Sequence, residues 1–299
     1  QALLDATSDR LRLVTGGHGM LARHQSLRAV LDWSHGLLGE PERRLLRTLG
    51  VFANGFDLAA VAVVAGDDDP AGVIDALGQL VDKHLVVRLP TGDGPARWQL
   101  LETVRSYALA RLDASGDAAD IRMRYRSWAA SVADALAQRL REKAPWAAEF
   151  DLVADDLRAA LRLAYARPDP TGYELACSTG HLAFARGLIP EAERHLRDAA
   201  SRATTSVQAA HALQTAAHVA LNSVRTGTAF QLLVDAAGSA SGADDALQAT
   251  CLAQAVECVR RFTGGLDEPV PYPRLRRLLD DAHRLAPPAD SAVLACLAA

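Results

Sequence analysis

One stretch of the sequence repeats itself at a fixed offset, and this feature constrains the fold more than any other. Residues 181–183 (His-Leu-Ala) recur as residues 218–220 (His-Val-Ala), an offset of 37 positions. Three further pairs keep that offset: Ala192 and Ala229, Leu196 and Leu233, and 198–200 and 235–237, both Asp-Ala-Ala. A period of about 30–45 residues is typical of paired helices that bury their apolar faces against neighbouring repeats. The repeat therefore predicts an α-solenoid for the second half of the chain.

A third copy of the repeat is expected from Ala255 onward. Asp281 and Ala282 echo the Asp-Ala pair of the earlier copies, after an insertion at 268–273 that contains three prolines. The small and apolar residues of the first copy have the relative spacing found in tetratricopeptide repeats; they are Gly187, Ala192, Leu196 and Ala199. The array therefore resembles a tetratricopeptide-like solenoid.

Composition favours helices and excludes several classes of protein. The 299 residues correspond to roughly two domains. Apolar residues make up 49% of the chain and aromatic residues only 5%, which argues against a β-sandwich or barrel. Charges, Gly or Pro interrupt every apolar run before the roughly 18–20 residues that a membrane span needs. The sequence opens at Gln1 without a signal peptide or lipidation motif. We expect an internal part of a cytoplasmic, all-α protein that makes no membrane contact.

The first half carries the only clear β signal, which lies among helical segments. Residues 85–88 (Leu-Val-Val-Arg) and 97–100 (Arg-Trp-Gln-Leu) flank a loop rich in Gly and Pro, a pattern typical of a β-hairpin. Helices before the hairpin and one helix after it predict a winged helix-turn-helix. We therefore divide the chain into a helical end with a glycine linker (1–25), a winged-helix domain (26–116) and a helical repeat domain (117–299).

The element boundaries expected in the first half follow from caps and apolar spacing. They are a helix from Ser26, a helix from Glu40 that Gly55 ends, a short helix through Ala65 that Asp57 caps, a helix from Val73 to Lys83, the two strands, and a closing helix from Glu102 to Leu112. In the helix that would read DNA, four residues are expected to share the buried face: Ile74, Leu77, Leu80 and Val81.

Charge argues against direct DNA binding by this winged helix. Residues 1–116 carry 12 Lys and Arg against 14 Asp and Glu. The helix from Val73 to Lys83 offers two aspartates, one glutamine and a single lysine, without a basic stripe. Duplex binding draws its affinity from neutralised phosphates, which this surface does not supply. Direct DNA binding stays as the alternative function, and we expect DNA contact through another domain.

Candidate metal and catalytic residues are sparse. The four cysteines form no CxxC pair, and Cys251 and Cys258 lie on one helix face, which indicates buried thiols. The triple aspartate at 67–69 is typical of a solvated turn and helix cap. His181 and His218 hold equivalent repeat positions, which favours packing or helix-surface roles. No nucleophile–base arrangement or paired carboxylates stand out, so we expect no enzyme, no catalytic residue, no metal site and no cofactor within this chain.

Several ordered motifs resemble a known family. They are 23–28 (RHQSLR), 31–34 (LDWS), 42–46 (ERRLL), 51–56 (VFANGF), 80–86 (LVDKHLV), 100–108 (LLETVRSYA) and 155–161 (DDLRAAL). This series resembles the stretch that follows the nucleotide-binding domain in bacterial signal-transducing ATPases of the STAND class, including AfsR-like and LuxR-type transcriptional regulators of actinobacteria. The resemblance covers roughly residues 20–200.

The resemblance implies a modular switch. An ATPase domain binds ATP or ADP, the winged helix closes over it, the repeats sense a small molecule or a protein, and a separate output domain acts on transcription. This chain contains no GxxxxGK[ST] phosphate loop, so the nucleotide site would lie in the full-length protein outside this sequence. The expected partners are its own nucleotide-binding domain and an unknown signal on the repeats.

The resemblance also suggests contact residues. Related NB-ARC switches carry a Met-His-Asp motif where this chain has Leu100, Leu101 and Glu102. A leucine cannot donate a hydrogen bond to phosphate, so we expect Leu101 to pack in the core and Glu102 to pair with Arg105 or cap the helix. Arginines on the repeats are weaker candidates for a partner surface on the concave side of the solenoid; they are Arg260, Arg261, Arg274, Arg276 and Arg277.

Overall fold

The computed structural model describes residues 18–66, 69–90, 94–163, 168–262, 266 and 268–286. These residues form mostly helices with one small sheet. In chain order the elements are α1 (His18–Gly36), α2 (Glu40–Leu49), β1 (Phe56–Asp57), α3 (Leu58–Ala65), α4 (Pro70–Asp82), β2 (Val86–Leu89), β3 (Arg97–Leu100), α5 (Glu102–Asp113), α6 (Ala118–Arg141), α7 (Ala147–Arg162), α8 (Pro170–Ala185), α9 (Ile189–Arg202), α10 (Ser206–Leu221), α11 (Thr226–Ala240), α12 (Asp245–Arg261) and α13 (Tyr272–Leu285).

The chain divides into two compact units, Gln1–Tyr125 and Arg126–Ala299. The first unit extends past the boundary at 116 that the sequence suggests, because the start of α6 belongs to its core. Ile121 and Tyr125 are buried there, and the Tyr125 ring meets the Phe52 ring edge-on with centroids 5.5 Å apart.

The first unit is a winged helix. Its sheet has the order β1-β3-β2, and both strand pairs are antiparallel, with Val86 opposite Leu100 and Phe56 opposite Trp98. Helix α2, strand β1, helices α3 and α4, and the β2–β3 wing follow the order that defines this fold. The structure confirms the predicted hairpin and adds β1, which two residues could not reveal by alternation.

Local chemistry sets the ends of the helices in this unit. Asp57 caps α3, since its Oδ1 accepts a hydrogen bond from the Ala60 amide at 2.8 Å, and Asp69 caps α4 through the Ala71 amide at 3.1 Å. The cap at Asp57 confirms the prediction. Asp67 and Asp68, the other members of the predicted aspartate turn, lie outside the described residues.

Two sequence predictions in this unit are wrong. Helix α2 ends at Leu49, and Gly50, a poor helix former, is its cap several residues before Gly55. A Cβ on Gly50 would lie 3.0–3.2 Å from atoms of Ala108 and Leu109 in α5, which is a tight contact. Ile74 is 49% exposed, and Val73 and Ala76 are buried instead. The helix starts at Pro70, earlier than expected, and its buried residues, Val73, Ala76, Leu77 and Leu80, have the i, i+3, i+4, i+7 spacing of one face that leaves Ile74 outside it.

The N-terminal linker expected at 16–19 overlaps the start of α1. Residues 16 and 17 lie outside the described part of the chain, and so does the predicted helical end before them. His18 and Gly19 begin α1, which runs without a break across the predicted boundary at 25. One glycine in a first helical turn costs only about 1 kcal/mol, which the rest of a long helix offsets.

The second unit is an array of helical hairpins. Helices α8 and α9, α10 and α11, and α12 and α13 form successive pairs, and each helix packs against the next. Residues at equivalent repeat positions are buried in both copies; they are Leu182 and Val219, Ala183 and Ala220, Ala192 and Ala229, Leu196 and Leu233, and Ala199 and Ala236. Ala282 is buried in the third pair as well. The 37-residue period therefore records one hairpin, and its alanines let the helices approach closely.

Candidate functional site

The family-like motifs of the first unit contact one another across long stretches of sequence. Asp32 of α1 lies beside Tyr107 and Arg111 of α5. Its Oδ1 accepts hydrogen bonds from the Tyr107 hydroxyl at 2.8 Å and from Arg111 Nη2 at 2.5 Å. Arg111 Nε donates to the Tyr107 hydroxyl at 2.9 Å, and its guanidinium lies 5.0 Å from the Tyr107 ring centroid. The three side chains form one polar cluster between α1 and α5.

This cluster perturbs the groups within it. The hydrogen bond from Tyr107 is the main cause that holds the pKa of Asp32 below its usual value. Burial raises the pKa of the Tyr107 hydroxyl. Both shifts favour a charged carboxylate that accepts from a neutral phenol at neutral pH.

Other motif residues serve the same fold. Glu42 accepts from Lys83 Nζ at 2.8 Å, which joins α2 to the end of α4. Arg43 donates to the carbonyl oxygens of His35 at 3.2 Å and Gly36 at 3.1 Å, and so caps the end of α1. The ordered motifs therefore record contacts between elements of the winged helix.

Helix α1 presents a second apolar face to solvent. Four large apolar residues recur at helical spacing along its outward side and just beyond its end, with exposed fractions as follows: Leu27 41%, Val30 54%, Trp33 69% and Leu37 60%. We call these four residues the Trp33 face. Large apolar side chains left exposed at helical spacing favour a partner on that side of the helix. A contiguous apolar patch rimmed by polar residues is typical of an interaction site.

The face of α4 that would enter a DNA groove is acidic. Asp75 and Asp82 are exposed two turns apart, and no ion pair is seen for either among the described residues. Lys83 is already engaged with Glu42. On the wing, Arg88 is exposed, whereas Arg97 is buried and donates to the Gly55 carbonyl. The surface offers few cations to phosphate.

Leu100, Leu101 and Glu102, at the start of α5, have different surroundings in the structure. Leu101 is 50% exposed, so the prediction that it packs in the core is wrong. Leu100 faces the core as the last residue of β3, and alternation along the strand turns Leu101 to solvent. Glu102 pairs with Arg105 at 3.7 Å, as predicted. Arg105 Nε also donates to the Phe52 carbonyl at 2.6 Å, which gives this arginine a structural role.

The five candidate arginines of the repeats lie on the last helical pair, and local contacts engage each of them. Arg260 pairs with Glu257 at 3.1 Å and Arg276 with Asp280 at 3.3 Å. Arg261 lies over the Phe262 ring and Arg274 over the Phe230 ring, at 5.7 and 5.0 Å from the centroids. Arg277 donates to the Pro273 carbonyl. None of these five arginines is among the residues that line the groove against α6, α8 and α10.

A polar groove of about 690 Å³ lies in the second unit against α6, α8 and α10. Its lining combines small residues with hydroxyl, imidazole and charged groups; the polar residues include Ser131, Asp134, Arg141, Glu174, His181 and His211. His181 and His218 are exposed at equivalent positions of α8 and α10. The sequence pointed to His181 alone, because the groove joins residues from four helices, α6, α8, α9 and α10, that no single motif contains.

A buried cluster of charged side chains lies at the start of α8, one of the helices that line the groove. The Asp169 carboxylate pairs with Arg126 and, at 3.0 Å, with Arg202, and its other oxygen accepts from the Gly172 amide at 3.1 Å. All three charged side chains are almost fully buried. Asp169 thus caps α8 while it balances two guanidinium groups from α6 and α9.

Burial disfavours the thiolate form at two of the four cysteines. Cys251 and Cys258 are free and buried, as predicted, and burial raises the pKa of Cys251 to about 12 and that of Cys258 to about 11. Cys177 is half-buried, and Cys296 lies outside the described residues. In the described ranges no cluster of three or more His, Cys, Asp or Glu side chains is placed to hold a metal ion. Likewise, none of the described helices has the length and apolarity to cross a membrane.

Comparisons with known proteins agree with the fold of the first unit. Residues 38–113 match the family described as "Winged helix-turn-helix domain". The chain is 46% identical over 164 residues to "Putative HTH-type transcriptional regulator Rv0890c" of Mycobacterium tuberculosis, which covers 53% of this chain and 18% of that protein. A protein of Mycobacterium bovis named "Putative HTH-type transcriptional regulator Mb0914c" matches equally. "Uncharacterized protein Rv0894" of M. tuberculosis is 46% identical over 128 residues, 42% of this chain and 32% of that protein.

The chain thus spans about a fifth to a third of the length of these relatives. No solved structure gives a significant match to it. The matches support a regulatory role for a chain with a winged helix.

Proposed function

We propose that this chain is the regulatory and interaction part of a STAND-type signal-transducing ATPase that controls transcription. The ordered motifs of residues 23–161 resemble that class, and two of the similar proteins are named as HTH-type transcriptional regulators. ATP or ADP would bind in a nucleotide-binding domain elsewhere in a longer cytoplasmic protein, because this sequence has no phosphate loop.

The winged helix docks on that nucleotide-binding domain through the Trp33 face. The outward apolar side of α1 is the observation that carries this proposal, since Trp33 leaves 69% of its surface uncovered. Aromatic anchors of this kind dominate the binding energy of protein interfaces. Glu102 and the half-exposed Leu101 offer further contacts at the start of α5.

The repeats sense the signal, which binds in the groove against α6, α8 and α10. Hydroxyl, imidazole and charged groups line it together with small residues, which fits a polar small molecule or a segment of a protein. A signal shifts the docking of the winged helix only if it binds the two states differently, by roughly 1–3 kcal/mol for ordinary coupling.

Direct DNA binding by the winged helix is the second candidate, and the family match at residues 38–113 favours it. The acidic face of α4 opposes it, because phosphate contacts supply most of the affinity in duplex binding. DNA contact through another domain of the longer protein agrees better with these charges.

Hydrogen exchange in two proteins tests the docking. The coding sequence upstream of Gln1 is read first, and the longer protein is then expressed beside the 299-residue chain. We expect a phosphate loop upstream, and slower amide exchange over residues 27–37 in the longer protein than in the chain alone. Trp33→Asp abolishes that protection, whereas Val63→Asp, at an exposed apolar residue of α3, leaves it intact. A missing phosphate loop, or equal exchange in the two proteins, rejects the proposal.

A further inference from the structure

The inward side of α1 is thinly packed. Leu31, Ser34 and His35 are only half-buried, and from Leu27 onward, where burial is described, Leu38 just after the helix is the first fully buried residue. Apolar burial alone therefore holds α1 weakly against the rest of the unit. Its outward side, the Trp33 face, would gain contacts by turning inward, so the position of the helix needs a separate determinant.

The cluster of Asp32, Tyr107 and Arg111 supplies specific contacts at this place. Tyr107 is 91% buried, so its hydroxyl needs a hydrogen-bond partner, and Asp32 accepts from it at 2.8 Å. Asp32 precedes Trp33 by one position, so a helix that points Asp32 at α5 must point Trp33 away from it. His35, one turn further, meets the Tyr107 ring edge-on with centroids 5.8 Å apart.

We propose that Asp32, Tyr107 and Arg111 are positioning residues that fix the rotation of α1 on α5 and thereby present the Trp33 face to its partner, an inference that rests on the docking proposed above. The exposed ion pair of Asp32 and Arg111 would by itself contribute little to holding α1 in place. The buried Tyr107 hydroxyl strengthens this contact. It accepts a hydrogen bond from Arg111 and donates one to Asp32, and so joins the three side chains into one network.

Local hydrogen exchange of the 299-residue chain tests the cluster. Tyr107→Phe keeps the ring and removes the hydroxyl, and Asp32→Ala removes the acceptor in a helix that tolerates Ala. In both variants we expect exchange over residues 27–36 to become about tenfold faster, while α2 and the three strands keep their rates. Arg122→Ala is the matched control, since it breaks the pair between Arg122 and Asp113 in the same unit and leaves α1 alone.

Two outcomes overturn the inference. Unchanged exchange over 27–36 means that the cluster does not hold α1. Equal acceleration throughout the first unit means that Tyr107 is a general core residue without a positioning role.

The longer protein separates this inference from the docking itself. There the cluster variants lose the protection of residues 27–37, although Trp33 is unchanged. If exchange in the isolated chain responds as expected but the longer protein never protects this segment, the docking fails and the cluster keeps its role. If docking protection survives Tyr107→Phe, the positioning role fails and the docking stands.

Discussion

Asp169 remains charged inside the second unit because two guanidinium groups reach it. Its side chain is nearly inaccessible, and Arg126 and Arg202 approach from different helices. Removing one partner of a buried charge cluster leaves uncompensated charge, at a typical cost of about 3–5 kcal/mol. We expect Asp169→Asn to lower the free energy of unfolding by that amount in urea titrations. Asp280→Asn, which breaks an exposed pair with Arg276, should change it by less than about 0.5 kcal/mol.

The same carboxylate makes stability depend on acid. Burial by itself would raise the pKa of Asp169, but hydrogen bonds from Arg126, the Gly172 amide and Arg202 outweigh it and hold the pKa below its usual value. A lowered pKa stabilises the folded state above about pH 4, and that contribution is lost as the pH falls through the folded value. Urea titrations between pH 7 and pH 3 should therefore show the gap between wild type and Asp169→Asn narrowing toward low pH. A gap that widens on acidification contradicts this assignment.

At the scale of the helix pair, Gly180 sets how closely α8 and α9 approach. A Cβ built on Gly180 would lie 2.8 Å from Cγ of Leu196, at the branch of a buried side chain that cannot swing away. Gly180→Ala would gain about 1 kcal/mol of helix propensity, yet the overpacking costs about 1–3 kcal/mol. We expect a net loss of stability in thermal melts. Gly238→Ala in α11 is the control, because a Cβ there meets nothing within 4 Å, and it should stabilise the chain.

How far the sequence predicts these elements depends on the range of the contacts involved. Periodic features were predictable: the 37-residue repeat, the hairpin of β2 and β3, and the cap at Asp57 follow from local spacing. The end of α2 at Leu49 was mispredicted because Gly50, and not Gly55, is its cap, and strand β1 is defined only by its pairing with β3. Likewise, the Trp33 face could not be told from a core face, since the sequence shows apolar residues on both sides of α1 but not which side is covered.

At the scale of the whole molecule, DNA binding is opposed by the negative sign of the charge on α4, although the net charge is small. The chain is only mildly acidic, at −4 overall, but the acids include the exposed Asp75 and Asp82 of α4, the helix that a DNA-binding winged helix would place in the groove. Few basic side chains lie near this face, and one of them, Lys83, is already paired with Glu42. A fold shared with DNA readers can thus lack the charges for that task.

This charge argument predicts that the intact chain does not bind a 20-base-pair duplex more tightly than about 10⁻⁴ M, even at 50 mM salt, in fluorescence anisotropy titrations. Asp75→Lys with Asp82→Lys should create measurable binding, whose logarithm falls with the logarithm of salt at a slope of about −2, because two new phosphate contacts release counterions. Asp120→Lys with Asp245→Lys changes the net charge equally at exposed residues of other helices and should bind much less. Tight binding by the wild-type chain with a steep salt slope would contradict the charge argument and favour direct DNA recognition. Equal binding by both double variants would mean that net charge, and not the face of α4, decides the affinity.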